Sequence, residues 1–409
     1  MKIIERIKNS LIIQILLGML LGCIFTVAFP EFTPLAETLG DLFIRALKSI
    51  APILILLLVA SAIANQQTNQ QPKVRPIFFL YLAGTLAAAF LSVGMSFLAP
   101  VEVHLMDGLP SSNAPEGIRA VFVSILFKLV DNPINALIEG NYLGLIVWGV
   151  GLGLTLRHST DSTKRIFLDI SGCITQIVHF VIHLAPLGVF GLTVQTLSSS
   201  GFNGLLGHLH LLSLLMVTMA IFALIVNPLL VFIMTKQNPY PLLFFCLRES
   251  GIPAFFTRSS TANIPINIKI CETLGLDKET YSVSIPLGAA MNTAGAAITV
   301  SILTLSAVHT LGIQVDFFSA VLLAIVSALC ACGASGVAGG SLLLIPLAAS
   351  LFGINNEVAM NIVAIGFMIG ILQDAVETAV NSSTDVFYTA AILNRKSNKV
   401  SQEQPASET

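Results

Sequence analysis

Long apolar runs parted by short polar gaps fill the first 235 residues. At helical spacing they predict membrane-length helices at about 11–29, 39–64, 77–99, 118–156, 165–197 and 208–235. The run at 118–156 exceeds one straight span, and Lys128, Asp131, Asn132-Pro133 and Glu139-Gly140-Asn141 interrupt it, so it is expected in pieces. Pro186 and Gly188 predict a kink in the fifth run. Beyond about residue 240 the pattern changes. The apolar stretch 241–271 is cut at its middle by Thr257-Arg258-Ser259-Ser260-Thr261-Ala262-Asn263-Ile264-Pro265, and 317–351 is cut by Gly333 to Ser341. Each arm is too short to cross about 30 Å of hydrocarbon, so both stretches read as re-entrant hairpins.

Each hairpin is followed by a long segment with a polar interruption. The first, 281–311, is interrupted at Asn292-Thr-Ala-Gly-Ala-Ala297. The second, 357–393, carries three acids and no base in its middle. There Asp374, Thr378, Asn381 and Asp385 share one helical stripe, and Glu377 lies to one side. Hairpin plus broken helix, twice and entering from opposite sides, is an inverted repeat, and such repeats place a site near the bilayer midplane. The expected architecture is therefore an all-α polytopic membrane protein with eight transmembrane helices and two re-entrant helical hairpins. Residues 1–235 would form the scaffold. Residues 240–394 would form the core that carries the site, and 395–409 a tail.

Composition supports the membrane reading. The chain is 55% hydrophobic and 10% charged, against about 25% charged in soluble domains. No basic patch points to nucleic acid. The six cysteines lie in or beside apolar segments, and Cys330-Ala-Cys332 lacks a second ligand pair for zinc. His179 and His183 have metal-binding spacing but no evident third ligand. The N-terminal apolar run is about 19 residues long, a span rather than a signal core. Lys73, Arg75, Arg157, Lys164, Arg165 and Lys236 fall on one side with the tail's Arg395, Lys396 and Lys399. The gaps near 30–41, 99–117, 198–207, 308–316 and 352–358 hold no Lys or Arg. That asymmetry places both termini in the cytoplasm.

A charged acid at the centre of a membrane helix costs roughly 2.5–3.5 kcal/mol on insertion scales, so three of them call for partners. Cations are the obvious ones. The hairpin tips offer backbone N–H groups at helix starts, which suit a carboxylate, and Ser259-Ser260-Thr261 add hydroxyls. The Asn292 break frees carbonyls which, with Asp385, suit an alkali cation. Asp374 suits an ammonium group. A zwitterion fits such a site. Structural pairing of the acids with Arg45, Lys48, Arg119, Lys128, Arg248 or Arg258 is the alternative, and Arg258, close to the first tip, could reach Glu377 or Asp374.

Arg258-Ser-Ser-Thr261 with Ile264-Pro265, Pro286-Leu-Gly-Ala289 with Asn292-Thr-Ala-Gly295, the glycine-rich second tip, and Asp374, Thr378, Asn381 and Asp385 carry a resemblance. Over nearly its whole length the chain resembles the dicarboxylate/amino acid:cation symporter family, the glutamate-transporter fold. The segments 282–312 and 377–385 are most similar to the bacterial serine/threonine:sodium symporters. The resemblance implies sodium as the co-transported ion with no organic cofactor, a homotrimer in the bacterial inner membrane, and transport by alternating access. It implies that Arg258, Ser259, Ser260 and Thr261 at the first tip contact substrate. Val337, Gly339 and Ser341 would do so at the second, with Asp374 as amino-group ligand and Glu377, Thr378 and Asn381 beside it. Gly288, Asn292, Asn381 and Asp385 would form a sodium site. The departures from the pattern also matter. Acidic-substrate members carry Asp where this chain has Ala294, which implies fewer coupled sodium ions, and they carry Thr where it has Ala296. They carry Arg where this chain has Glu377, which implies a short hydroxy amino acid, serine or threonine, rather than an acidic cargo.

Two other readings compete. One is a sodium- or proton-coupled carrier of dicarboxylates or acidic amino acids. The other is an intramembrane serine protease, since Gly333-Ala-Ser335-Gly336 mimics a nucleophile motif. The last histidine, His309, precedes Ser335, where that chemistry needs a later one.

Overall fold

Prolines in the first turn of a helix cost no hydrogen bond. Pro30 opens a 3-10 turn, Pro30–Phe32, that leads into a helix beginning at Thr33, so part of the expected 30–41 gap is helical. The computed structural model describes residues 11–64, 74–103, 105, 127, 129–332 and 339–403. The first half comprises α1 (Leu11–Ala28), α2 (Thr33–Ala64), α3 (Arg75–Leu98), α4 (Pro133–Glu139), α5 (Tyr142–Leu156) and α6 (Asp161–His183). The breaks before α4 and α5 fall where expected, at Asn132-Pro133 and Gly140-Asn141. Each asparagine side chain caps the following helix by accepting a backbone N–H.

The fifth and sixth runs depart from expectation. The kink lies at Leu184, with Pro186 inside the first turn of α7 (Ala185–Ile221). α7 then runs through the expected gap at 198–207 with one break, at Gly201, where φ is +61°. A π-turn (Phe222–Val226) joins it to α8 (Asn227–Thr235).

The second half begins with hairpin 1. Its first arm is α9 (Tyr240–Cys246), a π-turn (Leu247–Gly251) and α10 (Ile252–Thr257), and its second is α11 (Ser260–Thr273). α12 (Lys278–Met291) and α13 (Ala294–Thr310) follow, separated at Asn292-Thr293 as expected. Hairpin 2 starts with α14 (Phe317–Ala331), capped by Asp316. That carboxylate accepts from the Ser319 backbone N–H at 3.0 Å and its hydroxyl at 2.8 Å, and these donors hold it below the usual carboxylate range. Residues 333–338, with Val337 and Ser335, lie outside the described residues. The second arm is a 3-10 turn (Leu342–Leu344), α15 (Ile345–Ala349) and a 3-10 turn (Ser350–Phe352), rather than one helix.

The last element corrects a further expectation. α16 (Asn356–Glu403) is one continuous helix through the acids and past residue 395. Its polar stripe does not break the backbone because donors from other elements satisfy its acids.

Six described helical stretches are long and apolar enough to span a membrane: Pro30–Ser61, Arg75–Leu98, Asp161–His183, Leu206–Thr235, Lys278–Thr310 and Asn356–Leu393. In the last two, 94% and 89% of the most apolar window is buried by protein, against at most 50% in the others. The other four therefore present faces for lipid, while α12–α13 and α16 are wrapped. α16 packs on α7, α10, α11, α12 and α13. Met368 and Ile369 of α16 belong to one apolar core, with α13 and the first helices. Val386, Phe387 and Tyr388 belong to a second core with Tyr81 of α3, Cys246, Ile270 and Ile285. Asp374 and Glu377 lie alongside the first core, which reaches Val380, and Asp385 lies at the edge of the second.

Candidate functional site

Hairpin 1 turns in two residues. Arg258 closes α10 in the left-handed region, φ +51°, with its N–H on the Ala254 carbonyl at 2.8 Å. Ser259 is extended, and its hydroxyl accepts the Ala262 N–H to cap α11. This turn aims Arg258 across to α16. Its Nε donates to Asp374 Oδ2 at 2.7 Å, an ion pair whose side chains are 14% and 7% exposed. The other oxygen, Oδ1, accepts the backbone N–H of Gly339 from hairpin 2 at 3.2 Å. One carboxylate thus holds both hairpins.

Glu377 lies one turn on, also buried. Its Oε2 accepts from Ser341 of hairpin 2 at 3.0 Å, from Thr299 of α13 at 2.9 Å, and from the Gln373 amide. The Gln373 amide also donates to Thr299 Oγ1 at 2.7 Å. The approach of α13 to α16 at this point requires glycine. A Cβ on Gly295 would lie 2.9 Å from Glu377 Cγ and 3.0 Å from its Cα.

Three turns beyond Asp374, Asp385 is fully buried, and Asn292 donates to its Oδ1 at 2.9 Å. Asp385 Oδ2 and Asn292 Oδ1 are buried without a partner. The same Asn292 amide donates to the Asn381 carbonyl at 3.1 Å, and Asn381 Oδ1 accepts the Gly295 N–H at 2.8 Å. A Cβ on Gly288 would lie 2.5 Å from Asp385 Oδ1, so only glycine lets the α12 backbone sit against the carboxylate. Oxygen donors, one net charge and two unpartnered buried oxygens suit a hard monovalent cation. Among the described residues no cluster of three His, Cys, Asp or Glu suits a transition metal, and the side chain of His179 lies outside them.

A buried amide cluster backs the site. Asn263 and Asn267 of α11 and Ser250 of the π-turn converge on Ser382. Asn263 donates to Ser382 Oγ at 2.8 Å, Asn267 donates to the same oxygen at 3.1 Å, and Ser250 donates to Asn267 Oδ1 at 2.6 Å. The π-turn, which adds a residue to the helical turn, places Ser250 there. From α3, the Tyr81 hydroxyl lies 3.1 Å from the Ser284 carbonyl and 3.4 Å from that of Asp385.

The structure therefore brings together Arg258, Gly339, Ser341, Asp374 and Glu377, and separately Gly288, Asn292, Asn381 and Asp385. It leaves others apart. Ser260 and Thr261 make no hydrogen bond to the acids among the described residues, and Thr261 is exposed. The Thr378 hydroxyl donates to the Asp374 carbonyl of its own helix at 2.8 Å. Sequence reasoning missed Gln373, Thr299, Tyr81 and the amide cluster. For Thr299 a signal existed: it stands one turn after Gly295 on the same face of an apolar helix.

The model of the sodium:dicarboxylate symporter family matches residues 11–395, nearly the whole chain. The chain belongs to that family. Membership assigns cation-coupled transport across a membrane by a multi-pass protein, and the apolar helices agree with it.

Proposed function

We propose that this chain is a sodium-coupled symporter that imports serine and threonine by alternating access. Its Asp374 would hold the cargo ammonium, and Asp385 with Asn292, Asn381 and Gly288 would hold sodium. The observation that carries the specificity is the surroundings of Glu377. This buried carboxylate accepts only hydroxyl and amide donors. Among the described residues the one base paired with the acidic stretch, Arg258, is on Asp374. A second carboxylate on the cargo would face an acid with no cation to meet it, whereas a hydroxyl can donate to Glu377. A site built to hydrogen-bond a cargo hydroxyl discriminates strongly against analogues lacking it.

The proposal includes a homotrimer in a bacterial inner membrane with both termini cytoplasmic. The test is uptake of labelled serine into proteoliposomes driven only by an inward sodium gradient, with unlabelled serine, threonine, aspartate and succinate as competitors. Concentrative, sodium-dependent serine uptake blocked by threonine supports the reading. Block by succinate or aspartate alone would favour the dicarboxylate carrier instead, and equilibration without accumulation would indicate a channel.

A further inference from the structure

Asp374 is the acid on which the protein places a cation of its own, Arg258. Removing one partner of a buried ion pair costs about 3–5 kcal/mol. The protein meets this charge from within. Arg258 does so from a left-handed backbone conformation, φ +51°, that costs a non-glycine residue roughly 1–2 kcal/mol. Glycine or asparagine would take that conformation more cheaply, so the arginine side chain is what the position needs. The contact is one-pronged, Nε to Oδ2 at 2.7 Å, rather than the two-pronged fork that makes arginine–carboxylate pairs tightest. The opposite oxygen holds Gly339 of hairpin 2. Among the described residues, Asp374, Arg258 and the second hairpin thus form a closed set with no other cation in it.

We propose that Arg258 is a built-in stand-in for the cargo ammonium, neutralising Asp374 so that the carrier can close without cargo and return. The inference rests on the symport reading above. An incoming ammonium takes Oδ2, Arg258 swings away, and the cation count around Asp374 stays the same. Both the loaded and the cargo-free carrier then close over a neutralised carboxylate. A one-pronged contact suits this role, because a stand-in bound too tightly would exclude the cargo. Net import must pass once per cycle through the closed, cargo-free form. Exchange of one cargo molecule for another never visits it.

The test compares those two modes in the full-length protein in proteoliposomes. Net uptake is read with a sodium gradient into serine-free vesicles. Exchange is read with saturating serine and equal sodium on both sides. Arg258→Gln is expected to lower net uptake at least about tenfold more than it lowers exchange. Arg258→Lys, which returns a cation, is expected to recover much of the lost ratio. Arg258→Met serves in place of the glutamine variant should that one not fold. Parallel loss of both modes would overturn the inference, as would a lysine variant no better than the glutamine one. Wild-type protein without serine transport would overturn the symport reading, and this inference with it. Wild-type transport with an unmoved ratio would overturn the inference alone.

Discussion

Asp374 and Asp385 stand three turns apart on one face of α16, about 16 Å along its axis. Both are buried, yet the protein treats their oxygens differently. Asp374 has a donor on each oxygen, one of them cationic, and its neighbour Glu377 accepts three more. Asp385 has a single amide on Oδ1 and nothing on Oδ2, beside a second unpartnered oxygen on Asn292. A saturated acid takes a ligand by exchanging one donor for another. An under-satisfied acid takes a ligand by adding one. In this low-dielectric setting an unmet carboxylate oxygen is costly, and a cation is the addition that removes the cost. The difference divides one stripe into an exchange site for an ammonium and an addition site for sodium.

The sharpest break of this comparison is Asp374→Asn. It removes the ammonium ligand and leaves Arg258 buried without its acid, so serine uptake should fall by at least about a hundredfold. Uptake close to wild type would remove Asp374 from the cargo site. Asp385→Asn comes next. It keeps the shape and deletes the charge, so the sodium concentration for half-maximal uptake should rise at least about tenfold. A shift in serine affinity with the sodium requirement unmoved would show that the two ends had been assigned in reverse. Glu377→Arg then tests which cargo the saturated end takes. Serine uptake should drop about tenfold while aspartate becomes a competitor, because a guanidinium pairs a side-chain carboxylate and repels nothing in it. Serine uptake that survives intact would contradict the specificity argument.

The two ends were not equally legible in the sequence. Polar residues in the middle of an apolar run are conspicuous, so Thr257 to Pro265 and Asn292 marked the two backbone breaks, and the sodium-type end could be assembled from the Asn292 break and Asp385. The acid stripe was conspicuous for the same reason, and it read as a third interruption. α16 runs straight through it because Arg258, Gly339, Ser341 and Thr299 arrive from three other elements to satisfy it. Which acid Arg258 would choose depends on the left-handed turn at the tip, and a helix-by-helix reading carries no information on that turn. Thr299 went unnoticed because a Ser or Thr hydroxyl in a membrane helix usually bonds its own backbone. Thr193 and Thr218 do so in α7. The Thr299 hydroxyl also lies 3.1 Å from its own Gly295 carbonyl, and the partner that sets it apart, Glu377 at 2.9 Å, lies far away in sequence.

Thr299→Val gives the smallest expected effect and the finest separation of the two ends. The swap keeps the shape but deletes a hydroxyl that lies 2.9 Å from Glu377 Oε2 and 2.7 Å from the Gln373 amide. Thr299 touches no proposed cargo atom. It holds Glu377 and Gln373 in place, so its loss should act through their positions. Losing one such hydrogen bond typically costs about 1 kcal/mol, which is roughly fivefold in affinity. The serine concentration for half-maximal uptake, read at saturating sodium, should therefore rise about fivefold, with the maximal rate nearly kept. Thr299→Ser returns the hydroxyl without the methyl and should restore the affinity. A loss of packing would follow the methyl instead, leaving the serine variant as impaired as the valine one. If Thr299→Val moved the sodium requirement as far as the serine affinity, the exchange end and the addition end would be one site and not two.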